Sequence, residues 1–433
     1  MTTSVNVREV DVRFVQRRTL SLLVVSQILG SIAVTVTFTV SGILAVEMSG
    51  STSAAGLTQA VLTLGTAAAS YMLATWMNRS GRRRGLTCGY LIGAFGAGMC
   101  VVAAISNSFS LLVAGMGALG ASSASTNMSR YVATDLAPSN RRATALSIVV
   151  WVATVGAVLG PLLVGPAIAA AKQFGLPPLS GPLLIDMTAA LIAALVIFMF
   201  LRPDPLTLAR EIGRPGPRMG STPPEPSARA TRIPTVAPAI AALVLAGSLM
   251  TAVMVMTPLE MHHNGASHSA IGAVLSSHFL GMYAFAPLSG LLADRAGVRP
   301  ALVVGSAILM VSLVVLVGTL GQTDFTHGLG LFMVGLGWSV CTVAASSHIA
   351  ACSAVDTRIQ GAADTAMTVV SAAAAAAAGP LMVLWGFNGL LALAAVLSLG
   401  VLLSTFRIRP LGNTEAEWSP SAPDMTQASE GGR

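Results

Sequence analysis

Charge is what this sequence has least of. Charged residues fill 9% of its 433 positions and hydrophobic residues 54%, whereas a soluble domain is roughly one quarter charged. That makeup excludes an ordinary soluble globular domain and places the chain in lipid. Lysine occurs once, at Lys172. The four cysteines, Cys88, Cys100, Cys341 and Cys352, all lie in apolar runs, which excludes a disulfide framework and leaves small packing residues. No G-x-x-x-x-G-K-[ST] loop is present to cradle nucleotide phosphates. No cluster of acids, histidines or cysteines has catalytic or ligating spacing, so neither an enzyme, a cofactor nor a metal is expected. His262, His263 and His268 read as solvated loop histidines rather than ligands. The net charge of +7 is scattered over short loops, which fits an anionic lipid face and not nucleic acid.

What is present is apolar length. A span needs about 20 residues at 1.5 Å rise each. Twelve such runs occur: 19–46, 54–77, 86–106, 109–130, 144–170 and 182–201, then 237–259, 268–292, 301–320, 327–352, 361–385 and 387–406. Each must satisfy its own backbone groups, so each is a helix. Abundant Gly, Ala, Ser and Thr allow close helix packing where no hydrophobic effect separates helix from lipid. The first run is too long for a cleavable signal, and its Arg-rich leader stays inside.

The arginines give orientation. They gather before the first run and in every second gap after it: Arg8, Arg13, Arg17 and Arg18; Arg79 and Arg82 to Arg84; Arg130, Arg141 and Arg142; the 202–232 group; Arg295 and Arg299; Arg358; and Arg407 onward. The alternate gaps hold only Lys172. Cytoplasmic loops collect cations, so both termini are expected in the cytoplasm of a multi-pass plasma-membrane protein.

Residues 202–236 are rich in Pro and Arg and predict a flexible cytoplasmic linker. It separates a half at 19–201 from a half at 237–407, with polar ends at 1–18 and 408–433. The halves repeat. Asn78-Arg79-Ser80-Gly81 answers to Asp294-Arg295-Ala296-Gly297, Gly115-x-Gly117 to Gly335-x-Gly337, Arg141 to Arg358, and Gly160-Pro161 to Gly379-Pro380. The expected fold is all-α, with twelve transmembrane helices in two parallel six-helix repeats and a substrate site between them at mid-membrane.

Across residues 15–408 the chain resembles the major facilitator superfamily. The family's Gly-x-x-x-Asp-Arg-x-Gly-Arg-Arg loop is similar to Ala74-x-x-x-Asn78-Arg79-Ser80-Gly81-Arg82-Arg83 and to Gly290-x-x-x-Asp294-Arg295-Ala296-Gly297-Val298-Arg299. The resemblance implies that these loops latch the halves on the cytoplasmic side in the outward-open state. A carboxylate at one helix end can face the positive N-terminus of another helix, and arginines can bridge to acids. Asn78 departs from the pattern and predicts a weaker first latch, with Asp294 the better partner. Asp135 could pair with Arg79 or Arg82, and Asp364 sits where the dipole of span 11 favours an acid. The bland alternative for these charges is topology alone.

In span 5, Gly156-Ala-Val-Leu-Gly160-Pro161-Leu-Leu-Val-Gly165 is similar to the glycine-proline motif of antiporter branches. There it packs on the opposite half and suits export; an ordinary small-residue contact is the alternative. The arginine that many antiporters carry in span 4 is missing: Ala114 or Gly115 stands there, and Arg130 lies too far along.

Ionisable residues inside spans default to functional hypotheses. His278 is the best centred and would suit proton exchange, or it is a neutral histidine bonded to a neighbouring helix. Glu47, Asp186 and Glu260 lie near outer helix ends, as proton sites at a cavity mouth or, preferably, as solvated flanks. The resemblance implies a cavity lined by spans 1, 4, 7 and 10. The matching polar positions are Gln27, Ser31, Thr35, Asn127, Thr251, Ser339 and Thr342, with Met250, Met254 and Trp338 alongside and Trp151 and Tyr283 as neighbours. Met and aromatic surfaces suit apolar or cationic ligands, and no central cation is expected to receive an anion. The expected function is therefore proton-coupled export of neutral or cationic, drug-like amphipaths by a monomer working through alternating access. The rivals are uptake of a neutral metabolite such as a sugar or nucleoside, and a non-transporting sensor or scaffold.

Overall fold

An apolar run in lipid has no water to satisfy its backbone, and this chain answers with helix throughout. The computed structural model describes residues 12–50, 53–212, 233–265, 268–318, 324–353 and 356–408; among these there is no strand. The first half holds α1 (Val12–Ser49), α2 (Ser53–Ser80), α3 (Arg82–Ser106), α4 (Phe109–Val132), α5 (Arg142–Gln173) and α6 (Ser180–Phe200). A short α7 (Pro205–Ile212) follows. The second half holds α8 (Ile233–His263), α9 (His268–Tyr283), α10 (Ala286–Ala296), α11 (Val298–Gly318), α12 (Asp324–Cys352) and α13 (Thr357–Arg407).

Ten helical stretches are long and apolar enough to cross a bilayer, and local chemistry brings the number of spans to twelve. Helices α9 and α10 are two pieces of one span, and a proline in the first turn of α10 has no N–H to continue the ladder. Helix α13 is 51 residues long, about 75 Å if straight, more than twice the ~30 Å hydrocarbon core. It turns back at Gly386, whose φ of 68° and ψ of −179° are non-helical, between the runs predicted at 361–385 and 387–406.

The repeat is visible in the backbone. Gly81 (φ +89°) and Gly297 (φ +93°) end equivalent helices with a conformation that glycine alone adopts without strain. Bulky apolar residues such as Phe95, Leu162 and Val383 are exposed and form the lipid-facing coat, while the interior mixes alanine and serine with buried Leu, Met and Tyr side chains. One departure concerns the expected flexible linker. Its first part is ordered, because Leu206 and Leu208 are buried and Leu208 packs with Val15 and Leu136. Residues 1–11 of the N-terminal segment, 213–232 of the linker and 409–433 of the tail lie outside the described residues.

Candidate functional site

Hydrogen bonds between the halves concentrate at the arginine-rich end of the bundle. Arg82, fully buried at the start of α3, donates Nε to Asp135 Oδ2 at 2.8 Å and an Nη to Asp135 Oδ1 at 3.0 Å. This forked geometry is the strongest a guanidinium makes with a carboxylate. The same guanidinium reaches Gln360 Oε1 of α13, in the other half, at 2.8 Å. Asp135 therefore pairs with Arg82, while Arg79 is exposed. Burial pushes the Asp135 carboxyl above its ordinary value, and the neighbouring Arg82 charge opposes that rise. Thr357 donates to the Ala74 carbonyl at 2.5 Å and Thr365 to the Ala67 carbonyl at 2.9 Å, tying α13 to α2.

The second copy of the repeated turn works differently. Asp294, near the end of α10, accepts from the backbone N–H of Ala143 at 2.9 Å and of Thr144 at 2.7 Å. A carboxylate of one half thus sits on the N-terminus of α5 in the other, where orphan N–H groups and the helix dipole favour an anion. Arg295 is exposed, and Arg299 donates to the Ile408 carbonyl within its own half. Asn78 makes its contacts with Arg210 of α7.

Two expectations about charge are corrected here. Asp364 does not sit on the N-terminal dipole of α13; that end is capped by Asp356, which accepts from Arg358 N at 3.1 Å. Asp364 lies two turns further in, buried, and pairs with Arg130 of α4 across the interface. Tyr131 donates its hydroxyl to the same carboxylate at 3.0 Å. A buried cation therefore does stand between the halves, neutralised by its partner. Asn127, one turn back along α4, is exposed.

The intramembrane candidates separate. His278 is buried and engages the Leu331 carbonyl through Nδ1 at 2.8 Å. It binds α9 to α12 within one half, which is the second of its two readings. Asp186 is no solvated flank: it is buried and accepts from Thr37 of α1, while its Oδ1 has no hydrogen-bond partner among the described residues. Glu47 is exposed, and Glu260 accepts from Asn264 at 3.2 Å near the helix end.

The glycine face of α5 is also corrected. Gly156 and Gly160 pack against Ser31 and Thr35 of α1, in their own half. Thr35 donates to the Gly156 carbonyl at 2.8 Å, so Ser31 and Thr35 are occupied in packing. Gly165 has open space beside it; the Pro161 side chain, like those of His262, His263 and His268, lies outside what is described. Thr251 bonds back to Gly247, and Met250 and Met254 belong to the second half's core. Trp151 is 47% exposed on α5. Gln27 Oε1, Trp338 Nε1, Ser339 Oγ and Thr342 Oγ1 are buried without hydrogen-bond partners among the described residues. Tyr283 stacks edge-on to Trp338 at 6.4 Å.

Arg130, Tyr131 and Gln360 were absent from the expected site. The legible signal was one arginine in span 4 and one acid in span 11, both a few residues from the arginine-rich end.

Two parallel six-helix repeats that close on each other at one end define a membrane transporter of the two-repeat type. The chain belongs to the Major Facilitator Superfamily, whose sequence pattern matches residues 23–262 and 238–428. It is 34% identical over 388 residues to the uncharacterized MFS-type transporter YddS of Bacillus subtilis (strain 168), covering 88% of this chain and 89% of that one. It is 27% identical over 377 residues to the riboflavin transporter RfnT of Brucella anthropi, covering 84% and 89%. The crystal structure of the human organic anion transporter MFSD10 (TETRAN) superposes with a TM-score of 0.68 at 18% identity, over 91% of this chain and 99% of that one, which speaks to fold. The protein is thus a multi-pass membrane transporter and not an enzyme.

Proposed function

We propose that the protein is a secondary transporter of the plasma membrane that moves neutral or cationic amphipathic small molecules outward in exchange for protons. The arginine-rich end faces the cytoplasm, as do both termini, and the chain works as a monomer. The carrying observation is the one-ended closure: Arg82–Gln360, Asp294 on α5, Arg130–Asp364 and Thr357–Ala74 all join the halves at the same end. We assign this set as the cytoplasmic gate of an alternating-access cycle, closed here. The cation that stands between the halves, Arg130, is neutralised by Asp364, which disfavours an anionic substrate. Among the coupling candidates Asp186 is favoured, a buried acid whose one hydrogen-bond partner among the described residues is the Thr37 hydroxyl.

A second reading has its own observation. The unpartnered polar atoms of Gln27, Trp338, Ser339 and Thr342 suit a neutral, hydrogen-bond-rich metabolite taken up from outside, and a riboflavin transporter is among the relatives. Accumulation of cationic and neutral dyes, and of riboflavin, in efflux-deficient cells separates the two. Lower dye accumulation that a protonophore restores is the expected result. Higher accumulation of riboflavin alone would replace export with uptake, and no change for any solute would sink both.

A further inference from the structure

The two copies of the repeated turn are held by different means, and the difference falls where their sequences diverge. At the second copy Asp294 reaches across to α5, and Gly297 has space around it, an added Cβ meeting only Pro300 Cδ at 3.9 Å. At the first copy position 78 carries an amide, and no hydrogen bond from Asn78 to the other half is found among the described residues. Helix α7 lies over the turn instead. Arg210 donates one Nη to the Asn78 carbonyl at 2.8 Å and the other to Asn78 Oδ1 at 2.7 Å.

Asp204 completes the arrangement. Its Oδ2 accepts from Arg83 N at 2.8 Å, at the start of α3. Its Oδ1 accepts from Leu206 N at 3.1 Å and Thr207 N at 3.2 Å, at the start of α7. One carboxylate therefore caps two helices, and it fills the space beside Gly81, where a Cβ would stand 2.5–2.9 Å from its carboxyl atoms. In the other half, the helix end that the repeat pairs with position 78 is capped by its own Asp356, whose charge acts on Arg210.

We propose that α7 stands in for the carboxylate missing at position 78, with Arg210 and Asp204 as positioning residues. They hold the 78–83 turn so that Arg82 meets both Asp135 and Gln360. The inference rests on the gate reading above, and it makes the linker a working part of that gate. It also explains why the start of a Pro- and Arg-rich segment is ordered.

The test is a distance measurement on the full chain with its four cysteines replaced. Spin labels on cysteines at the exposed positions Arg84 and Arg295, one in each half, report opening of the arginine-rich end. Arg210→Ala should raise the open fraction about threefold or more, and adding Asn78→Asp should return it to the parent value. Arg210→Lys, which keeps the charge and loses the fork, should fall between; it serves alone if the alanine variant does not purify folded. An unchanged distribution in Arg210→Ala and Arg210→Lys overturns the proposal, as does a defect that Asn78→Asp leaves uncorrected. The readout needs no substrate, so a gate that responds as expected in a protein that moves no solute would count against the transport reading alone.

Discussion

At the scale of the residue, the Arg130–Asp364 pair is the most consequential contact in the molecule. Both side chains are buried, and they belong to different halves. Losing one partner of a buried pair strands the other and costs about 3–5 kcal/mol, while replacing both with apolar groups is often neutral. Arg130→Met and Asp364→Leu should therefore each lower the melting temperature of the purified protein and abolish transport. The double variant should recover the melting temperature and stay inactive. Single variants that melt like the parent would show that the pair is not made in the populated state. The sequence could not reveal this contact. An arginine near the end of an apolar run looks like a topological marker, and nothing in one dimension says that it points inward. Asp186 differs from its sequence expectation for the same reason: nearness to a helix end in sequence is not exposure when Thr37 of α1 lies across from it.

At the scale of the element, length and composition were enough wherever lipid alone sets the rule. The twelve runs reappear as spans, and the turn between the last two falls at Gly386, where one apolar stretch becomes too long for the bilayer. What composition could not supply was the partner of each face. The Gly156–Gly160 stripe of α5 is legible as a close-packing surface, but its partner is α1 and not the opposite half. Helix α7 was illegible because eight residues with Pro and Arg neighbours carry too little apolar surface to stand out; tertiary docking orders them. The α1–α5 contact can be tested directly. A Cβ at Gly156 would collide with the Ser31 side chain and backbone, and overpacking of this kind typically costs about 1–3 kcal/mol. Gly156→Val should destabilise the protein by that order, and adding Ser31→Gly should recover part of the loss. Equal stability of parent and Gly156→Val in thermal unfolding would mean that α1 and α5 are not in close contact.

At the scale of the whole molecule, the repeat was legible as a register of matching residues, but equivalent positions have taken different work. Asp294 spans the interface, whereas Asn78 is served by the linker, so the two halves close on each other asymmetrically. If the arginine-rich end is the proposed gate, it must open in every cycle, and beside the buried Arg130–Asp364 pair its contacts are individually modest. A carboxylate on a helix N-terminus contributes about 0.3–1 kcal/mol, up to ~2 kcal/mol when partly buried. Asp294→Asn removes that charge and sets an amide N–H group against the orphan N–H groups of α5, so it should shift the equilibrium towards opening at the arginine-rich end by up to roughly thirtyfold. Arg295→Ala, beside it and exposed, should shift nothing. The readout is alkylation of a cysteine at Asn127 by an impermeant reagent applied from the arginine-rich side. Asn127 is exposed and lies one turn from Arg130 of the buried pair, so the reagent is expected to reach it from this side faster when the halves part. Faster labelling in Asp294→Asn than in Arg295→Ala is the expected order. Equal labelling in the two would mean that the arginine-rich loops report only topology, and that the closure is held by the buried Arg130–Asp364 pair and the α2–α13 threonines.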